Sequence, residues 1–365
     1  MHQIPLSKIM NKIISLLILS IAFFACNNSK KAKSAQIESM GDQPDSMAHY
    51  KVLKKISIPG DGGWDYAAFD TLNRRLYVSH STKVDIVDVD KEQVIGSILN
   101  TPGVHGIAFA YELNKGYTSN GKDSSVTIFD LKTMQVVKTV KVTGSNPDCI
   151  LYDPFSKRVF TFNGKSNNVT ALNGETGAIE GTIMLDGKPE FALSNGIGKL
   201  YVNIEDKDEV EFINSKELNL GYKIKLDSVQ EPSSMTYDIT YRRIMIGGGN
   251  NLMTILNADN GAKIVCRPIG DGTDAAVFND DTRTFFSSNR DGTLSVIYQA
   301  FKDHYKKCDD VITQKGARTM ALDQKKDRIY LPIADFGPPA PAEPGKKERP
   351  SIVPGTFGVL VVGRQ

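Results

Sequence analysis

The sequence predicts an all-β chain closed into a ring, a β-propeller of seven four-stranded blades, and three observations predict it. First, a segment that opens on a mostly polar residue and then turns apolar recurs seven times without gaps. Its first three copies are Asp65-Tyr66-Ala67-Ala68-Phe69-Asp70, His105-Gly106-Ile107-Ala108-Phe109-Ala110 and Asp148-Cys149-Ile150-Leu151-Tyr152-Asp153. Later copies open at Glu190, Ser233, Asp274 and Arg318, so successive starts lie 40, 43, 42, 43, 41 and 44 residues apart. A period of about 42 belongs to four-stranded blades or to helical repeats. Second, turn residues cut each unit about every 8–12 residues and no long 3.6-residue periodicity appears, which disfavours the helical alternative. Third, the last unit lacks a fourth strand, and a matching strand, 50–58, stands in front of the first unit.

The remaining strands follow in order. Nine or ten residues into each unit a basic residue opens a second strand, as in Arg75-Leu76-Tyr77-Val78, Arg158-Val159-Phe160-Thr161 and Arg328-Ile329-Tyr330-Leu331. A third strand follows, for example Val126-Thr127-Ile128-Phe129-Asp130, and Asx/Gly turns such as Asn173-Gly174 lead to a fourth, for example Val136-Val137-Lys138-Thr139-Val140. The last unit ends on its third strand, Phe357-Gly358-Val359-Leu360-Val361-Val362. Pairing the N-terminal strand with this C-terminal blade closes the ring and removes the exposed edges of an open array. Residues 50–365 are thus one domain of about 45 residues per blade. The recurring Arg or Lys before the second strand falls on the face opposite the axial mouth in all seven units and reads as structural or solvated. The excursion 336–354, with Pro338-Pro339-Ala340-Pro341 and Lys346-Lys347-Glu348-Arg349, is an insertion between strands two and three of the last blade. Its proline content predicts a semi-rigid flap without regular structure.

Arg75-Leu76-Tyr77-Val78-Ser79, Lys199-Leu200-Tyr201-Val202-Asn203 and the turn Ala171-Leu172-Asn173-Gly174-Glu175-Thr176-Gly177 resemble the repeats of the YVTN (YncE-like) β-propeller family. The resemblance covers residues 50–365 and implies a seven-bladed propeller exported across the inner membrane. It carries no catalytic motif that transfers residue by residue.

The N-terminus reads as an address. Lys8 and Lys12 precede the apolar run 13–25, which is too short to span a hydrocarbon core as a helix. Ala25-Cys26 resembles the cleavage site of a bacterial lipoprotein, which implies a signal peptide over 1–25, a lipidated Cys26 and anchorage to the cell envelope, on the periplasmic or surface side. The polar segment 26–49 reads as a flexible tether. Lys plus Arg number 44 and Asp plus Glu 42, a net charge of +2, and both surplus lysines lie in the leader. A neutral mature chain argues against general nucleic-acid binding, whose affinity comes mainly from phosphate neutralisation. With Cys26 lipidated, Cys149, Cys266 and Cys308 remain; none has metal-ligand or haem spacing, and buried structural thiols are expected.

The candidate site lies where the loops entering the innermost strands open around the axis. Asp65, His105, Asp148, Glu190, Asp274 and Arg318, with Ser233, form a polar ring there. His80, Asn120, Asn163, Asn203 and Asn289 end second strands on the same face, and Trp64 is a candidate stacking platform. Each set has a structural alternative: Asn and Asp at strand ends also serve as turn residues, the acids as caps for backbone N–H groups, and the histidines as hydrogen-bonded framework.

Two functions fit. The leading one is a tethered binding module that recognises a small molecule, a glycan or an envelope protein through the polar funnel. It expects a monomer and no cofactor. The alternative is a metal-assisted hydrolase or lyase resembling lactonase-type propellers, with a divalent cation held by Asp65, Asp148, Glu190 and Asp274 and with His105 or His80 as base. No GxSxG, HExxH, P-loop or EF-hand motif supports other chemistry. A third possibility, an assembly or redox-partner subunit, lacks a CxxCH haem motif.

Overall fold

The structure, a computed structural model, describes residues 49–340 and 349–364. The signal peptide, Cys26 and nearly all of the tether expected from the sequence lie outside the described residues. Within them no helix is long and apolar enough to cross a membrane.

Tyr50–Arg364 folds into seven antiparallel sheets, each with its innermost strand against the axis. Six are consecutive in sequence. Their inner strands are Trp64–Asp70, Val104–Ala110, Pro147–Asp153, Pro189–Ser194, Pro232–Asp238 and Thr273–Asn279. The sixth carries an extra short strand, Val311–Ile312, on its third strand. The seventh sheet runs Ala321–Asp323, Arg328–Ile333, Gly358–Arg364 and then Tyr50–Ser57, so the N-terminal strand is its outermost member. The register sets Tyr50 opposite Arg364 and Ser57 opposite Gly358. The predicted ring and its manner of closure are therefore those observed.

The core lies between neighbouring blades rather than in one central mass. Phe160, Phe162, Val169 and Ala171 of the third blade pack on Leu200, Val202 and Ile204 of the fourth, all fully buried. Each buried phenylalanine of this kind contributes about 1.5–3 kcal/mol. In four blades the basic residue that opens the second strand ties its blade to the next. The Arg75 guanidinium donates to the Leu131 carbonyl at 2.8 Å, and Lys115 to the Glu175 carbonyl at 2.8 Å. Arg158 donates to the Ser215 carbonyl at 2.8 Å, and Arg243 pairs with Asp303 at 2.6 Å. The Tyr117 hydroxyl repeats the pattern on the Gly174 carbonyl at 2.6 Å. These contacts give the structural reading of the recurring basic position.

Two expectations are corrected. The excursion after the last second strand begins and ends in regular structure: Phe336–Ala340 pairs with Arg349–Ile352, with Pro339 opposite Pro350. A two-stranded ribbon consists only of edges, so prolines, which lack an N–H, fit on its outward sides. Residues 341–348 lie outside the described residues. Of the three thiols only Cys149 is buried; Cys266 and Cys308 are half-exposed, because both sit on outer, partly solvated segments of their blades.

Candidate functional site

One local device turns the ring residues toward the axis. In six blades the pairing of the first and second strands slips by one residue at the start of the inner strand, between Trp64 and Ala67, Val104 and Ile107, Pro147 and Ile150, Pro189 and Ala192, Pro232 and Ser234, and Thr273 and Ala275. Asp65, His105, Asp148, Glu190, Ser233 and Asp274 each fall inside such a bulge. A bulge leaves one residue unpaired in the ladder and re-aims its side chain. Arg318 precedes the short inner strand of the seventh blade.

The ring residues contact one another across blades. Arg318 forms an ion pair with Asp274 and reaches Asp65 Oδ1 at 3.4 Å. His105 Nδ1 lies 2.6 Å from Asp65 Oδ2 and 3.7 Å from Asp148 Oδ1. The chain Asp274–Arg318–Asp65–His105–Asp148 thus spans the sixth, seventh, first, second and third blades. Gly121 makes room for the imidazole: a Cβ there would lie 2.5 Å from His105 Nε2. Hydroxyls fix the backbone beneath, with Thr319 Oγ1 donating to the Asp65 carbonyl at 2.6 Å and Ser233 Oγ to the Thr273 carbonyl at 2.7 Å.

Burial shapes the charges. It pushes the Asp148 carboxyl up to about 7, assisted by the charges of Asp65 and Glu190 and opposed by His105. Burial also raises Glu190, with the Glu205 charge adding to it. For His105 burial works downward, but the hydrogen bond to Asp65 and the charges of Asp148 and Asp65 outweigh it and hold the imidazole above its ordinary value. The mouth therefore contains one carboxyl, Asp148, pushed up to about 7, beside a second carboxyl and an imidazole that are both raised above their ordinary values, a property of functional sites and also of structural ion networks.

Two members of the mouth went unread in the sequence. Lys188 lies 2.8 Å from Glu190 Oε2 and also pairs with Glu205. Its place two residues before Glu190, at the entry to the same inner strand, was the available signal. Tyr66 donates from its hydroxyl to the Glu190 carbonyl at 3.3 Å and packs against Phe191, so a first-blade side chain reaches the fourth blade. No other unit carries Tyr at this position, so the repeat itself hid it.

The remaining candidates sit elsewhere. Asn120, Asn163 and Asn289 are fully buried and bond within their own blades. Asn163 Nδ2 donates to Asn168 Oδ1 at 2.8 Å and Thr170 Oγ1 at 3.1 Å, and Asn120 and Asn289 repeat this on Ser125 and Thr127 and on Thr293 and Ser295. Asn203 donates instead to the Ser234 carbonyl of the next blade at 3.2 Å. His80 occupies the equivalent strand end in the first blade, with Nδ1 2.8 Å from Asp85 Oδ2 and the ring against Phe357. Trp64 lies between Phe336 and Phe357, holding the ribbon against the ring. Replacing Asn163 by Ala is expected to cost about 1–3 kcal/mol, since it strands the buried groups it joins. A urea melt checks this, and a loss below about 0.5 kcal/mol, the range of ordinary surface substitutions, would refute the ladder's importance.

Fold and mouth together define a seven-bladed β-propeller with a polar axial site. Solved structures share the fold. A chain of the crystal structure of a mitotic checkpoint complex superposes with a TM-score of 0.68 at 12% identity, covering 86% of this chain and 95% of that one. A chain of Kuenenia stuttgartiensis hydrazine synthase does so with a TM-score of 0.65 at 15% identity, covering 79% and 95%. At these identities the likeness concerns the fold alone. No family model and no curated protein matches the chain.

Proposed function

We propose that the chain is an envelope-tethered propeller of the YVTN type, anchored through Cys26, whose axial mouth binds a small hydroxyl-rich ligand such as a glycan fragment. The observation that carries this reading is the convergence of Asp65, His105 and Asp148, each in a bulge that directs it away from its own ladder, with Arg318 of the seventh blade. Because these charges are largely matched by one another, the mouth favours a neutral ligand over a strongly charged one. Sugar hydroxyls both donate to carboxylates and accept from Arg318, Lys188 and His105. Calorimetric titration with a panel of neutral mono- and oligosaccharides tests the reading. Saturable binding that disappears in the double variant Asp148→Asn, Glu190→Gln supports it; equal heats in parent and variant, or none in either, reject it.

A second reading, metal-assisted hydrolysis, rests on ligand atoms of Asp65, His105 and Asp148 lying within 4.8 Å of one another. These residues fit a hard cation, which would supply a Lewis acid there. Arg318 beside Asp65 opposes that occupancy. Activity on lactone or ester substrates that a chelator abolishes would favour this reading over the first.

A further inference from the structure

The fourth blade departs from the ladder of its neighbours. In the second, third and sixth blades an Asn ends the second strand and faces neutral polar side chains on the third: Asn120 is opposite Ser125, Asn163 opposite Asn168, and Asn289 opposite Thr293. In the fourth blade the register is the same, but the Asn falls one residue earlier, before the last position of its strand. Ile204 is opposite Glu209, Val202 opposite Glu211, and Asn203 opposite Val210, so the amide turns to the other face. Two carboxylates stand where the other blades carry hydroxyls and amides, without the amide that would bond them.

Both are almost fully buried, Glu209 at 4% and Glu211 at 2% exposure. Asp186, from the loop joining the third and fourth blades, completes a set whose ligand oxygens lie within 4.8 Å of one another. Glu211 Oε1 accepts the Asp186 backbone N–H at 3.2 Å, while Glu211 Oε2 is buried with no partner. Buried carboxylate oxygens are normally satisfied, so this one needs an occupant. Lys223 pairs with Asp186 and lies 3.9 Å from Glu209, and Lys225 lies 3.4 Å from Glu209. Both lysine side chains are more than half exposed, and the Lys225 ammonium also donates to the Lys207 carbonyl at 2.6 Å.

We propose that Asp186, Glu209 and Glu211 form a site for a hard divalent cation of the Ca²⁺ type, off the axis between the third and fourth blades. Three carboxylates with water completing the shell suit Ca²⁺, which takes about six to eight oxygen ligands. The inner pair is rigid because it stands on a strand, and Asp186 is set by the close approach at Gly187, where a Cβ would lie 2.3 Å from Asp206 Oδ1. The site is independent of any ligand at the mouth.

Calcium titration calorimetry of the full chain tests it, with His105→Ala and Asp148→Asn introduced to remove the axial set as a competing site. One Ca²⁺ per chain is expected. Glu211→Gln and Asp186→Asn should each weaken binding about tenfold or more, because fewer charged ligands mean lower affinity. Both should melt like the parent in the absence of calcium. No calcium binding to the parent, or binding that survives both substitutions, overturns the proposal. Should Glu211→Gln fold poorly, Asp186→Asn decides, since that side chain is exposed and its loss leaves the core intact.

Discussion

Asp327→Ala is expected to lower the unfolding free energy by about 3–5 kcal/mol, the range for breaking a buried charge cluster by removing one partner. Asp327 joins both ends of the chain and two blades. Its carboxylate accepts from the Tyr50 hydroxyl at 2.9 and 2.8 Å, from Asn279 Nδ2 at 2.7 Å and from Arg364 Nε at 2.6 Å. Tyr50 comes from the N-terminal strand, Arg364 from the last strand and Asn279 from the sixth blade. Without the carboxylate, three donors at the seam lose their acceptor together. Asp327 also has φ of 51°, a left-handed conformation that Ala adopts at a cost. Tyr50→Phe removes only one of these donors and should cost about 1 kcal/mol. Chemical denaturation of both variants checks the ranking. A midpoint for Asp327→Ala no lower than that for Tyr50→Phe would show that strand pairing alone seals the ring.

Asp148→Asn is expected to stabilise the protein above neutral pH and to flatten its pH dependence. Burial raises the folded-state value of Asp148 to about 7 from the ordinary 3.8. A carboxyl raised in this way binds its proton more tightly folded than unfolded, so ionising it opposes folding. The penalty is absent below the unfolded value, grows between about 4 and 7, and is complete above that. Its ceiling is about 4 kcal/mol, and solvent access at the mouth reduces this to about 2 kcal/mol. His105 acts in the same direction: its raised value gives stability present at low pH and lost as the pH rises through it. Lowering the pH from 8 to 5 should therefore raise the melting temperature of the parent relative to the variant. At lower pH the trend reverses, because burial is outweighed at Asp85 by hydrogen bonds from His80, Lys83 and Ser97, which hold its carboxyl below the ordinary value and are lost on protonation. Parallel melting profiles for parent and Asp148→Asn between pH 5 and 8 would refute this account of the mouth.

Much of the architecture is legible from spacing alone, because a closed ring needs equal units and the units here differ by only a few residues. The polar ring was readable for the same reason: equivalent positions in equivalent blades meet at one axis. What spacing conceals is which way a side chain turns. Asn163 ends its strand and Asn203 stands one residue before the end of its own, so in ladders of the same register their amides face opposite sides. A period of two makes every such displacement a change of face. Tyr66 escaped because its role depends on reach across the mouth, at a position where the other units, apart from Phe191 of the fourth, carry small residues. Trp64 was read as an open platform, and its neighbour Phe336 belongs to an insertion 272 residues away whose position no local pattern gives.

Because Tyr50 lies opposite Arg364, the first strand of the propeller waits for a partner 314 residues further along the chain. Six sheets can assemble from consecutive segments, but in the seventh the outermost strand, Tyr50–Ser57, has no edge to pair with until Gly358–Arg364 is made. Loss of the strand Gly358–Arg364 would leave Tyr50–Ser57 and Arg328–Ile333 without their partner, and contacts so distant along the chain are slow to form. Completion of the disc is thus a late event, and a nascent chain stalled short of residue 358 carries an exposed strand edge open to aggregation.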